Sequence, residues 1–237
     1  MAAPRVDPPA RRGLVVAIDG PAGSGKSTVA RRVAEVLGLR YLDTGAMYRA
    51  VTWAALDRGV DLADQAAVAD LARRLPLEVS TDPAHPRVTV GDVEVTAAIR
   101  EGRISAQVSR VAANLAVRAE LVARQQRLVE PGGVVLEGRD TTTVVAPHAP
   151  VRILLTAHHE QRLARRAREV HGHAGDDALA ATRDQVLRRD ADDAGVVDFH
   201  TAAAGVVTVD SSDQPLDAVV ARVLDLVAAA GDPAGRR

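Results

Sequence analysis

Gly20-Pro21-Ala22-Gly23-Ser24-Gly25-Lys26-Ser27 is the stretch that decides how this chain folds. It fits G-x-x-x-x-G-K-[ST], and its flanks supply the context that pattern needs. In front lies Leu14-Val15-Val16-Ala17-Ile18, a short apolar run closed by Asp19, as expected of a buried strand. Behind it Val29, Val33, Val36 and Leu37 recur at helical spacing, from about Lys26 to the natural stop at Gly38. Strand, loop and helix in this order wrap successive backbone N–H groups around an anion, a curl that glycine tolerates and a Cβ would block. The helix aims its positive N-terminal end at the same point. Gly20 through Ser27, with Thr28, are therefore expected to hold a nucleoside triphosphate. Lys26 reaches the β- and γ-phosphates, and the Ser27 hydroxyl is placed to ligate Mg²⁺.

Lys26 is the only lysine in the chain; all other basic side chains, within a Lys plus Arg total of 30, are arginine. Arginine does not replace a compact ammonium at a phosphate site. In a chain that avoids lysine, keeping the single one here points to a chemical requirement.

The composition bounds what surrounds this loop. At 237 residues and 47% hydrophobic the chain builds one large domain, or a core with an insertion, from Ala, Val and Leu packing, since only 2% is aromatic. A formal net charge of −1 argues against a general nucleic-acid binder, so anionic substrates must be met by local arginines. The absence of cysteine excludes disulfides and thiolate metal sites and fits a reducing, cytoplasmic compartment. No apolar run approaches a membrane span, and residues 1–12, with Pro4, Pro8 and Pro9, read as a disordered tail. The seven histidines form no convincing ligand set.

Downstream, Arg40-Tyr41-Leu42-Asp43 reads as a second strand turning through Thr44-Gly45 into a helix with Met47, Tyr48, Val51 and Trp53. Arg49 lies one turn beyond that strand end, where ligands bind in open α/β sheets. Residues 57–133 change pattern. Leu75–Val79, Arg87–Val90 and Val93–Val95 alternate like strands, Gly91-Asp92 marks a hairpin, and helices are expected around Ile104–Ala113 and Leu115–Leu128. This block reads as an inserted subdomain. The core, 13–56, resumes over 134–228 with Val134–Glu137, Gly138-Arg139-Asp140 and the strand Val151–Leu155. A helix then carries Arg162, Arg165 and Arg166 at i, i+3 and i+4; one face of three arginines reads either as a solvated surface or as a phosphate lid spanning about 158–196. A helix ending near Arg188-Arg189-Asp190, a strand Val206–Asp210 and a helix Pro215–Ala229 follow, and 229–237 is expected to fray. Alternating strands and helices imply an α/β fold with a doubly wound parallel sheet.

A phosphate loop specifies a nucleoside triphosphate, not a reaction. Motifs of GTPases are absent, and so are the partners a motor or transport ATPase needs. Arginines at strand ends and on candidate flaps instead suit a second phosphorylated substrate.

Several runs together resemble bacterial cytidylate kinases, members of the nucleoside monophosphate kinases. They are Ile18–Thr28, Leu42-Asp43-Thr44-Gly45-Ala46-Met47-Tyr48-Arg49, Ile99-Arg100, Val108-Ser109, Val117-Arg118, Gln126-Arg127, Glu137-Gly138-Arg139-Asp140 and Val144–Pro150. The resemblance spans about Leu14 to Val227. It implies Mg²⁺-dependent transfer of the ATP γ-phosphoryl group to CMP or dCMP, by a monomer with no membrane or nucleic-acid partner. It places Arg49 and Arg139 on the acceptor phosphate, and Ser109, Arg118 and Asp140, with Thr44 nearby, on the cytosine edge. Arg189 and Asp193 fall on the sugar side, and Lys26, Arg139, Arg162 and Arg166 act on the transferring group. The insertion becomes the monophosphate-binding subdomain. Two departures stand out. The family's Arg-Asp-x-x-Asp-Ser-x-Arg ends here in Ala194-Gly195-Val196, without the last arginine, and its glycine after Arg-Asp-x is Thr142. A related kinase with a drifted acceptor, and a nucleotide-binding protein of weak turnover, therefore stay open at this point.

Overall fold

The computed structural model describes residues 13–183 and 201–231. Arg188, Arg189 and Asp193, the altered segment Ala194–Val196 and the helix expected to end near Asp190 lie outside the described residues.

Strand β1, Val15–Asp19, occupies the middle of a five-stranded sheet because its side chains are apolar on both faces. Val16 and Ile18 pack to one side, and Ala17 to the other. Helix α1, Lys26–Leu37, follows the loop and ends at Gly38, whose φ of 65° lets its N–H close the last turn. β2, Arg40–Asp43, leads into α2, Thr44–Asp57, capped by the Asp43 carboxylate accepting from the Ala46 N–H at 2.8 Å. The sheet is completed by β6, Val134–Gly138; β7, Val151–Thr156; and β8, Val207–Asp210, in the order β2-β6-β1-β7-β8, every pair parallel. α1 and the last helix, α8, Leu216–Gly231, cover one face.

Between β2 and β6 the chain forms α3, Gln65–Arg74, and then a separate antiparallel sheet of β3, Leu77–Val79; β4, Val88–Val90; and β5, Val93–Glu94. α4, Gly102–Ser105, α5, Val108–Ala112, and α6, Leu115–Val129, close the block. The single helix expected over Ile104–Ala113 is two short ones. The chain bends between them around α2, so that Ile99, Val108 and Val111 all reach one core. That core contains most of the apolar face of α2, so this helix packs with the segment between β2 and β6 although it follows a strand of the main sheet. Trp53 packs against it half-buried. After β7, α7, His159–His171, runs to Gly172, and residues 176–183 are helical.

Candidate active site

The phosphate loop is wedged between β7 and α7. A Cβ on Gly20 would strike the Leu155 carbonyl oxygen, and one on Gly23, at φ 75°, would strike the Arg162 carbonyl. Only bare backbone fits there, so the chain can curl tightly enough to turn its N–H groups toward an anion. Two arginines of α7 hold the loop from the same side. Arg162, buried, donates to the Ala22 carbonyl at 3.1 Å, and Arg165 donates to the Ser24 carbonyl at 3.2 Å and to Ser211 O at 2.6 Å. The Ser211 hydroxyl also donates to Ser24 O at 2.9 Å.

Three strands carry a carboxylate at or next to their last residue, on the side of this loop: Asp19 closing β1, Asp43 closing β2 and Glu137 one before the end of β6. Parallel register sets Asp43 beside Glu137. Glu137, 3% exposed, accepts from the Ser27 hydroxyl at 2.7 Å and from the Tyr41 hydroxyl at 3.4 Å. Burial, and then the charge of Asp43, pushes its carboxyl above the ordinary carboxylate range against the pull of Lys26 and Ser27. Asp43 goes the other way. Burial opposes its charge, but Arg49 at 2.7 Å, Arg100 at 3.5 Å and the Ala46 N–H together hold its carboxyl below the usual value.

A cleft of about 520 Å³ opens in front of the loop. Lys26, Arg49, Arg100, Arg139, Arg165 and Arg166 line it against Asp43 and Glu137, so its walls are strongly cationic. Of the expected site residues, Ala22, Gly23, Gly25, Lys26, Ser27, Thr28, Arg49, Arg139 and Arg166 line this cleft. Arg166 reaches across to the Ser105 hydroxyl of the insertion at 3.1 Å. Arg162, expected to act on the transferring group, is not in the wall; it braces the loop from behind, and Arg165, expected only as part of the same lid face, lines the cleft. Thr44 donates its hydroxyl to the Glu137 carbonyl at 2.8 Å.

A second polar cluster lies behind Arg139. Arg118 of α6 pairs with Asp140 at 2.5 Å, their side chains 16% and 6% exposed. Burial raises the Asp140 carboxyl above its ordinary value despite Arg118. The Tyr48 hydroxyl is buried near the pair without a hydrogen-bond partner among the described residues, and burial pushes its pKa up, so it stays neutral. Ser109 is half-buried on α5.

A P-loop cradle faced by strand-end arginines agrees with the sequence comparisons. The family model described as "Cytidylate kinase" matches residues 16–229. The chain belongs to the cytidylate kinase family. A cytidylate kinase of Rhodococcus opacus is 46% identical over 216 residues, covering 90% of this chain and 94% of the relative. Those of Exiguobacterium sibiricum and Bacillus subtilis are 41% and 42% identical, each covering 90% of this chain and 96% of the relative. A solved structure of an uncharacterised protein from Eubacterium ventriosum, 10% identical, superposes with a TM-score of 0.50, covering 91% of this chain and 98% of its own, and supports the fold. The family's enzymes are nucleoside monophosphate kinases, phosphotransferases that use ATP.

In this cytidylate kinase family member, sequence reasoning passed over Glu137, Asp43 and Asp19. The signal was present: three apolar runs, Val-Ala-Ile, Tyr-Leu and Val-Val-Leu, each close on an acid. An acid at the carboxyl end of a strand in an open parallel sheet lies where ligands bind.

Proposed function

We propose that this protein transfers the γ-phosphoryl group of ATP to the phosphate of CMP or dCMP, giving ADP and CDP or dCDP. The observation that carries this reading is Arg49 and Arg139 in the same cleft as Lys26 and the phosphate loop. One face grips a triphosphate and the other offers two guanidiniums to a monophosphate.

The loop N–H groups and Lys26 hold the β- and γ-phosphates. Arg49 and Arg139 clamp the acceptor phosphate, whose oxygen attacks the γ-phosphorus as the bond to the ADP oxygen breaks. That oxygen is already anionic, so no general base is required; positioning and charge compensation suffice. Arg166, from α7, adds charge as the two halves close. Arg162 supports the loop that carries Lys26. Asp140, oriented by Arg118, accepts from the cytosine amino group, while Arg118 and Ser109 donate to its carbonyl and ring nitrogen, with Thr44 fixing the strand end beside them. Arg189 and Asp193 belong to the sugar side of the same acceptor. Ser27 and Glu137 suit a hard cation: a hydroxyl and a buried carboxylate, both oxygen donors, whose own charge burial disfavours and a cation would stabilise. They would hold Mg²⁺, which when bound neutralises phosphate charge. The same reading makes the protein a cytoplasmic monomer, its inserted subdomain at 57–133 closing over the acceptor and its lid at about 158–196 over ATP.

A coupled assay of ADP production with CMP, dCMP, UMP and AMP tests the assignment. Turnover selective for CMP and dCMP is expected; ATP binding without turnover on any acceptor defeats it. Family membership over nearly the whole chain disfavours the drifted-acceptor alternative. Arg118→Met leaves Asp140 buried and unpaired, and raises KM for CMP by roughly thirtyfold, about 2 kcal/mol. An unchanged KM removes the base-reading role.

The raised carboxyl of Asp140 gives this site a pH dependence. Reading the cytosine amino group needs the carboxylate, and that form is lost as pH falls through the elevated pKa, earlier than for an ordinary aspartate. KM for CMP is expected to climb as pH falls, beginning at a higher pH than an ordinary aspartate would give, while KM for ATP stays flat. Stability runs oppositely at this residue, because a raised folded pKa favours the fold as pH falls, so unfolding does not mimic the effect. A flat CMP profile would count against Asp140.

A further inference from the structure

Asp19 ends β1 immediately before the phosphate loop, and its carboxylate is 3% exposed. Among the described residues it pairs with no cation. Instead it accepts four hydrogen bonds from two consecutive residues of the opposite wall. Thr141 donates its N–H at 2.8 Å and its hydroxyl at 2.7 Å to Oδ1; Thr142 donates its N–H at 2.8 Å and its hydroxyl at 2.6 Å to Oδ2. Both threonines are buried and open a short π-helical turn, Thr141–Val145, in which the Asp140 carbonyl accepts from the Val144 N–H at 2.8 Å. Arg139 and Asp140, the residues proposed to hold the acceptor phosphate and base, sit directly in front of that turn. Arg152 of β7 braces it from behind through the Thr142 carbonyl at 3.3 Å.

Resting on the function proposed above, we infer that Asp19 is a positioning residue for the acceptor: its carboxylate ties the Arg139–Asp140 turn to the base of the phosphate loop. The donor side does not depend on it. The loop is held by its own partners, the backbones of β7 and α7 together with Arg162 and Arg165. Breaking the tie therefore loosens the grip on the monophosphate while the triphosphate cradle keeps its shape. Thr142, at a position where the family resemblance places glycine, supplies one of the four bonds from its side chain, so this chain carries a stronger tie than a glycine permits.

Asp19→Asn keeps the shape but turns an amide nitrogen toward donors that need an acceptor. KM for CMP is expected to rise about tenfold, with KM for ATP within about twofold of wild type, because a charge-assisted bond is lost and a buried donor stranded. Thr142→Val removes one hydroxyl and raises KM for CMP about fivefold; Thr142→Ser, which keeps the hydroxyl, restores it. The threonine pair carries the test if Asp19→Asn does not fold, as judged by thermal melting. A merely structural role predicts KM for both substrates moving together with Tm. That result overturns the inference, as does an unchanged KM for CMP in folded Asp19→Asn or Thr142→Val. Wild-type protein inactive on all four monophosphates defeats the function and this inference together; wild-type turnover with unmoved variants defeats this inference alone.

Discussion

Lys26→Met is expected to lower kcat by about three orders of magnitude while leaving the fold intact, the scale of removing one preorganised charge from a transferring phosphoryl group. The expectation is sharper here than in most phosphate-loop proteins, since no other lysine exists in the chain to stand in. Arginines do line the cleft, but Arg49 is engaged with Asp43, Arg165 with the Ser24 and Ser211 carbonyls and Arg166 with Ser105. Lys26→Arg is the informative companion. A planar fork on a longer stem does not occupy the place of a point charge, so it is expected to stay at least tenfold below wild type. The substitution also acts on the carboxylates, because Lys26 is among the charges that pull the Asp43 and Glu137 pKa values down. Without it both rise, so residual activity is expected to fall away at higher pH than in the wild type. Single-turnover measurement with saturating CMP, beside a thermal melt, checks this. Retention of kcat within tenfold would remove Lys26 from the chemistry.

How much of this was legible in the sequence depends on whether the signal was local. Val15–Asp19, Lys26–Leu37 and Gly38 emerge where composition puts them, because a buried strand, a glycine loop and an amphipathic helix each declare themselves within a few residues. The hairpin at Gly91-Asp92 likewise forms where expected, with glycine at φ 58° and Val90 paired to Val93. α3 was missed although Val68, Leu71, Ala72 and Leu75 keep helical spacing behind the Asp64 cap; alternating strand patterns nearby drew the reading of the whole block. The arginines of the site were legible as motif members, but their division of labour was not. Arg162 and Arg165 differ by one helical turn, and which of them faces the cleft is set by how α7 packs on the loop, a contact between distant segments. The same holds for Thr142, whose replacement of the family's glycine reads as a loss in sequence and proves to be a bond to a buried aspartate.

Glu137→Gln is expected to separate stability from function. The carboxylate is buried beside Asp43, and burial with that neighbour raises its pKa. A carboxyl with a raised folded pKa costs stability when ionised, a cost that grows as pH rises through that pKa. The amide has the same shape, and its nitrogen can donate to the Ser27 or Tyr41 oxygens that now donate to the acid. The nucleotide-free protein is therefore expected to melt higher than wild type at neutral pH, with the gain shrinking in acid. Activity is expected to move the other way: kcat falls about a hundredfold and the Mg²⁺ concentration for half-maximal rate rises, because the site loses the charged carboxylate that accepts from the Ser27 hydroxyl. The two readouts constrain each other. A lower Tm together with lower kcat would make Glu137 a fold residue whose charge is fully compensated by Lys26 and Ser27. A higher Tm with unchanged Mg²⁺ dependence would leave the cation to Ser27 and the phosphates alone. Only a stabilised, slower enzyme with weakened Mg²⁺ response fits a buried carboxylate retained for its charge, at the end of the strand that pairs with the phosphate-loop strand.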